Sequence, residues 1–296
     1  MTLTQLKIFA AVAESGHVTR AAATLGITQS AASAAIAALE NLYEVKLFNR
    51  VGRSVELSEA GQIFLVEARA VLDRARVAQR ALRTLGGSAT GHLDIAASQT
   101  IANYWLPRRL SVFHDRYPAI ALNVVISNTR GVEHAVVNGD ADVGFVEGIT
   151  HSPELLLDEV DHDQLALVVS AKRWPSLGIG GVDLAAVPWV VREPGSGTRG
   201  VLEDMALKAG LQWSDLNVVL ELPSNEAVRE AVEAGAGATL ISRHVVASAL
   251  SAGTLRALPL DVPPRSYQMV RHRKRHASAA RRALVEMVLE SIPASS

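Results

Sequence analysis

Arg192-Glu-Pro-Gly-Ser-Gly-Thr-Arg199 gathers two arginines, the hydroxyls of Ser196 and Thr198, and two glycines between an apolar run, VPWVV, and a helical pattern, VLEDMALKAGL. A strand, a tight turn and a helix start in that order leave free N–H groups pointing at one place, and free helix N-termini attract anions. The first chemistry to expect is therefore anion capture by Ser196, Gly197 and Thr198 with help from Arg192 or Arg199. A second chemistry overlaps it. Gly195, Gly197 and Gly200 make G-x-G-x-x-G, with Glu221 near the end of the next strand-like run, which is close to the dinucleotide fingerprint of an NAD(P)-dependent oxidoreductase. Arg192, Glu193 and Pro194 separate the strand from those glycines, and Arg199 is bulky where close backbone approach would be wanted, so the oxidoreductase stands as the alternative.

Other catalytic and metal chemistries find little support. There is no cysteine, which removes thiolate ligands, disulfides and cysteine nucleophiles. Neither G-x-S-x-G nor H-E-x-x-H occurs. His272 and His276 have i,i+4 spacing, but Arg271, Arg273, Lys274 and Arg275 surround them and would repel a cation; the run reads as a solvated strand end leading into the last helix. DEVDHD, 158–163, reads as an exposed turn between strands. No catalytic residue and no metal or other cofactor is expected.

The elements that would position the 192–199 turn follow from alternation. Strand-like LDIAAS, ALNVVIS, ADVGFVEG, QLALVVS, PWVVRE, NVVLEL, ATLIS and RSYQMVRH are separated by helical stretches, which argues for an α/β protein with parallel sheets. Ligands of such sheets sit at strand carboxyl ends. Here those ends are Ser98, Gln99 and Thr100; Glu147 and Gly148; Arg192 to Arg199; and Ser224 and Asn225. Two lobes are expected, 91–160 with 266–296, and 161–265, within a domain spanning 88–296.

Residues 1–87 read differently. They are net basic while the remainder is net acidic, although the whole chain of 296 residues carries a net charge of only −1. Thr2 to Gln5 can form a capping box opening a helix with Leu6, Phe9 and Ala13 inward. VTRAAATLGITQSAASAAIAALE then reads as two helices around Gly26, the first packed by Ala21, Ala22 and Leu25, the second capped by Thr28 with Ala32, Ile36 and Leu39 inward. LFNRVGRSVELSEAG reads as two strands with Arg50 and Arg53 flanking a turn, then a helix capped by Ser58. Arginines at such a tip suit phosphate or minor-groove contact. From 59 to 87, Phe64, Ala68, Val71, Ala75, Ala78, Leu82 and Leu85 alternate at spacings of four and three, a seam for pairing with a second chain, before Gly86-Gly87 ends the helix.

With these residues in view, 3–61 resembles the N-terminal domain of the LysR-type transcriptional regulators, matching in FAAVAESGHVTRAAATLGITQSAASAAIAALE and then LF-R--R-V-L--AG. The resemblance implies a winged helix-turn-helix at 1–58 binding double-stranded DNA through Thr19, Thr28, Gln29, Ser30, Ser33, Arg50 and Arg53. It implies a linker helix at 59–87 that makes a homodimer or dimer of dimers. It also implies an effector domain resembling type-2 periplasmic binding proteins, with Ser98, Gln99, Thr100, Glu147, Arg192, Ser196, Gly197, Thr198, Arg199 and Asn225 around a small effector. The S-G-T-R turn is similar to that of regulators of sulfur assimilation or carbon fixation, which implies a small anion such as a sulfur oxyanion or a phosphorylated metabolite. RNA polymerase is an implied partner if the protein activates. This chain departs from the family at Ser30, near which proline is usual, at alanines 34, 35, 37 and 38, which replace longer polar side chains, and at Glu44, where glycine is usual. The N-terminus lacks a basic leader and no apolar run reaches membrane-spanning length, so a soluble cytoplasmic protein is expected.

Overall fold

The computed structural model describes all residues except 53, 86–90, 149, 151, 173–182, 261 and 292–296. The chain divides into two units, Met1–Arg83 and Thr84–Ser296.

The first unit opens with α1 (Leu3–Ser15), α2 (Val18–Thr24) and α3 (Gln29–Tyr43). The capping box forms: Thr2 Oγ1 accepts from the Gln5 amide and Gln5 Oε1 accepts from the Thr2 amide. Thr28 Oγ1 caps α3 by accepting from the Ala31 amide at 3.2 Å. Leu6 and Phe9 are buried, as are Ala21, Ala22, Ala32, Ile36 and Leu39, but Leu25 is 37% exposed, correcting its inward placement. It sits at the cap of a seven-residue helix, where the chain has already turned toward Gly26 at φ 67°. Glu44 ends α3 in the left-handed region at φ 53°, among the described residues the one non-glycine with positive φ. A side chain there costs about 1–2 kcal/mol, which the family's usual glycine avoids.

Strands β1 (Phe48–Val51) and β2 (Ser54–Leu57) pair antiparallel around Gly52. Helix α4 (Glu59–Leu85) follows, with Ser58 Oγ accepting from the Gly61 amide. Here the expected seam is corrected. Ala68 is 1% exposed and packs with Leu6, Phe9, Leu39 and Leu72, and Phe64 joins the same cluster, its ring 5.0 Å from that of Phe9. These two positions hold α4 to its own domain. Val71 is 41% exposed, and Ile63 and Val66 are each 67% exposed. Ala75 is half-buried and Ala78 exposed; the side chains of Leu82 and Leu85 lie outside the described residues.

The second unit holds two five-stranded sheets. In the first lobe β3 (His92–Ser98), β4 (Ala121–Ser127), β5 (Val143–Glu147), β6 (Leu155–Asp163) and, from far along the chain, β12 (Arg265–His272) lie in the order β4-β3-β5-β12-β6. In the second, β7 (Leu165–Ser170), β8 (Trp189–Arg192), β9 (Val218–Leu222), β10 (Ala238–Ser242) and β11 (Leu255–Leu258) lie in the order β11-β7-β10-β8-β9. Helices α5 (Leu106–Arg116), α6 (Thr129–Asn138) and α10 (Ala279–Glu290) belong to the first lobe, and α7 (Gly197–Lys208), α8 (Asn225–Glu233) and α9 (Arg243–Ala252) to the second. A π-helical turn, Ile101–Trp105, links β3 to α5.

The sheets are mixed, not parallel. β12 runs antiparallel to both β5 and β6, and β7 antiparallel to β10 and β11. The chain crosses between lobes at Gln164 and again before Arg265. A strand entering a lobe from a crossover must run away from it, whereas β3 and β5 run toward it. DEVDHD is the second half of β6, not a turn, with Asp163 2% exposed. The basic run at the end of β12 is engaged: Arg271 Nε donates to Asp158 at 3.0 Å, and beyond the strand Arg275 donates to the carbonyls of Val136 and Val137 at the end of α6. No metal-binding group of three His, Asp or Glu occurs among the described residues.

Candidate functional sites: a helix-turn-helix face and an inter-lobe cleft

Helices α2 and α3 meet at 111°, within the range of the helix-turn-helix. Closely packed alanines make that crossing possible. A concavity between α2, α3 and the β1–β2 wing is lined by Thr19, Arg20, Gln29, Ser33, Lys46 and Gly52. Thr28, Gln29 and Ser30 are exposed at the start of α3; Thr28 and Ser30 share a hydrogen bond at 3.0 Å, and Gln29 Nε2 donates to Ser33 Oγ at 3.1 Å. The side chain of Arg50 and the whole of Arg53 lie outside the described residues. Arg20 and Lys46 are cations on this concavity that the motif reading passed over.

Glu40 sets the wing against α3. Its carboxylate, on a residue 9% exposed, accepts from the Leu47 amide at 2.8 Å, the Phe48 amide at 3.3 Å and Lys46 Nζ at 3.0 Å. Burial alone would raise its pKa, but these donors overcome that and hold it below the ordinary glutamate value. With a lowered folded-state pKa, the contribution is present above the unfolded pKa and lost as pH falls through the folded one. Glu40→Gln is therefore expected to be less stable than the parent at neutral pH, by about 1 kcal/mol. The gap should close on acidification. Urea melts at a series of pH values check this, and a pH-independent gap would contradict it.

The second site lies where strand ends of the two lobes meet. Ser98 ends β3 and Thr100 follows it, Glu147 ends β5, Arg192 ends β8 and Ser196 precedes α7. Asn225, 0% exposed, ties them across the lobes: its amide donates to Gln99 Oε1 at 2.9 Å, its Nδ2 to Thr100 Oγ1 at 3.1 Å, and its Oδ1 accepts from Arg192 Nη1 at 2.6 Å. Gln99 Nε2 also donates to the Pro223 carbonyl. On the opposite rim Asn128 Nδ2 donates to Glu193 at 3.1 Å and the Arg130 amide to the Gly195 carbonyl. Gly197 has no side chain for a plain reason: a Cβ there would collide with the Glu147 carbonyl oxygen, which already accepts from Thr129 Oγ1 at 2.8 Å.

The charges fall out differently from the expectation. Arg199 is 8% exposed but spent elsewhere, with Nε on Glu203 at 2.7 Å, Nη1 on Glu221 at 2.7 Å, and its guanidinium 4.1 Å over the Trp213 ring. It is thus corrected from an effector contact to a brace of α7. Glu221, needed by the dinucleotide reading for a ribose, is the partner of that brace. Arg192 is paired with Glu193, whose carboxyl burial would raise but Arg192 holds below its ordinary value. The buried cation beside Thr198 and Glu147 is Arg265, which sequence reading missed. Its Nε and Nη2 donate to Asp163 at 2.9 and 2.7 Å, and its Nη1 donates to Thr198 Oγ1 at 3.2 Å. Asp163 accepts in turn from Ser242 Oγ at 2.7 Å. No local motif marks this pair, because 102 residues separate its members. Ser98 Oγ donates to the Glu147 carboxylate, and the nearest approach of Arg265 to that carboxylate is 3.9 Å.

Residues 3–62 match the family model for the bacterial regulatory helix-turn-helix protein, lysR family, and residues 86–293 match the LysR substrate binding domain. The chain is 36% identical to the uncharacterized HTH-type transcriptional regulator YeiE of Escherichia coli K12, over 97% of this chain and 96% of that one. It is 31% identical to the HTH-type transcriptional regulator CbbR of Rhodospirillum rubrum, over 96% and 94% of the two chains. The crystal structure of full-length CbnR complexed with its target DNA shares the fold, with a TM-score of 0.69 at 22% identity, over 98% of this chain and all of that one. These matches carry no support for the oxidoreductase alternative.

Proposed function

Because this chain belongs to the LysR family of DNA-binding transcriptional regulators, and is not an enzyme, we propose that it reads DNA with the start of α3 and reports on a small polar effector held between its lobes. The observation that carries the first half is the exposed Gln29–Ser33 pair on a helix crossing α2 at 111°, inside a concavity rimmed by Arg20 and Lys46. Gln29, Ser30 and Ser33 reach base edges; Thr19, Thr28 and Arg20 hold phosphates, with Arg50 and Arg53 doing so from the wing. The effector presents an anionic group to Ser196, Gly197 and Thr198, inside a cleft whose other walls are Ser98, Gln99, Thr100, Glu147, Arg192 and Asn225. A sulfur oxyanion, a phosphate or the carboxylate of a metabolite meets that requirement. The protein acts in the cytoplasm and engages RNA polymerase where it activates.

The test selects fragments of genomic DNA with the full-length protein and then compares variants on the sites recovered. Gln29→Ala should change the preference among sites by about 1–3 kcal/mol. Arg20→Ala should weaken all sites alike and lower the salt dependence. Failure to enrich any sequence over random DNA would overturn the reading.

Pairing with a second copy runs through α4 from Val71 onward, together with the exposed Ile63 and Val66. Val71→Asp places like charges against each other in a two-fold seam. Ultracentrifugation should then show monomers, while a variant that sediments as the parent does would place the interface elsewhere.

A further inference from the structure

One buried carboxylate where the lobes meet, that of Glu147, has no cation nearer than 3.9 Å among the described residues. Arg192 is matched by Glu193, Arg199 by Glu203 and Glu221, and Arg265 by Asp163 at 2.7 Å. Glu147, 3% exposed, is left with the Ser98 hydroxyl and a guanidinium nitrogen at 3.9 Å that is already committed to Asp163. A buried charge without a close partner is costly, and the cost is relieved by a cation or ammonium group placed against it. A purely anionic ligand would raise that cost.

Across the same gap is a site of opposite preference. Helix α7 is twelve residues long, and among the described residues the amides of Gly197, Thr198 and Arg199 have no protein acceptor. The Ser196 hydroxyl at its N-cap makes no capping bond and has no partner among the described residues, on a residue only 6% exposed. Free amides and a free hydroxyl at a helix N-terminus favour a carboxylate or similar anion. Gly197 packs directly against the Glu147 backbone, so the two preferences lie within one small ligand's reach.

Building on the cleft as the effector site, we infer that the effector is a small zwitterion of the α-amino acid class, with its carboxylate on Ser196 and the α7 amides and its ammonium on Glu147 and Ser98. Ser98, Thr100, Glu147, Ser196, Thr198 and Arg265 are each 7% exposed or less, and hydrogen bonds bridge both rims, so the side chain is short.

The experiment titrates the full-length protein calorimetrically with the standard amino acids, with propionate and ethylamine as alanine analogues lacking one charge each, and with sulfate. An amino acid with a short side chain should bind at least about tenfold more tightly than either single-charge analogue. Glu147→Gln should weaken that binding by a similar factor while leaving sulfate no weaker, and Ser196→Ala should weaken it too. Propionate or sulfate binding as tightly as any amino acid, indifference of amino-acid binding to Glu147→Gln, or no amino acid binding at all would each overturn the assignment. Gly197→Ala separates the two levels. If sulfate or propionate binds and Gly197→Ala abolishes it, the cleft stands and the zwitterion falls. If amino-acid binding survives Gly197→Ala unchanged, the cleft itself is the wrong site.

Discussion

Arg265→Met is expected to destabilise the effector domain by about 3–5 kcal/mol. Arg265 and Asp163 have side chains 6% and 0% exposed, and their contact is bidentate on one carboxylate oxygen. Removing the cation strands a charge that water cannot reach, and it frees the Thr198 hydroxyl that Arg265 bonds. The position magnifies the loss. Asp163 ends β6 and Arg265 begins β12, so the pair clamps both strands by which the chain passes between lobes, and Ser242 of the second lobe leans on the same carboxylate. Asp163→Asn added to Arg265→Met should recover part of the loss, because an amide does not need a counter-charge. Urea denaturation of the three variants, read by tryptophan fluorescence, decides it. A loss below about 1 kcal/mol would mean that the pair is solvated and contributes as a surface bridge does.

The second large effect concerns closure. Gly197→Ala should abolish the effector response while sparing the fold of each lobe. The added Cβ meets the Glu147 carbonyl, a backbone atom in a buried strand that cannot swing aside, and the Thr129 hydroxyl stands close to the same point. The lobes must part by roughly the width of a methyl group to admit it. The bonds of Asn225 to Gln99 and Thr100 would then stretch beyond hydrogen-bond length. A ligand that needs both walls at once loses one of them, and differential affinity for the closed arrangement is what couples ligand to output. Far-ultraviolet circular dichroism should match the parent, and DNA binding without effector should persist. A full effector response in this variant would mean that closure at Gly197 is not required.

How much was legible depends on the range over which each feature is encoded. The caps at Thr2, Thr28 and Ser58, the turn at Gly26 and the wing turn at Gly52 rest on contacts within four residues, and the amino-acid order states them directly. The strand ends Ser98, Glu147 and Arg192 were legible because an apolar run that stops tells where a strand stops, and Asn225 opens the helix after the next such run. Arg199 was misplaced because proximity in sequence was taken for proximity in space. On a helix, its natural partners are Glu203 one turn on and Glu221 from the neighbouring strand. Phe64 and Ala68 were misassigned because a four-three apolar rhythm describes a helix face and not what covers it.

By itself, then, the order of residues determined the helix-turn-helix with its wing, the alternation of strands and helices, and the strand, turn and helix start around Ser196. All are set by local propensity and by periods of two to four residues. Only the tertiary structure decided that β12 returns antiparallel between β5 and β6, that Arg265 and not Arg199 is the cation beside Thr198, and that Glu147 meets the Ser98 hydroxyl and a guanidinium nitrogen no nearer than 3.9 Å. Each of those depends on which distant segments meet when the chain crosses twice between lobes. Charge balance in a buried site is a property of that meeting, because a carboxylate's cost is set by the neighbours that replace its water and not by those beside it in the chain.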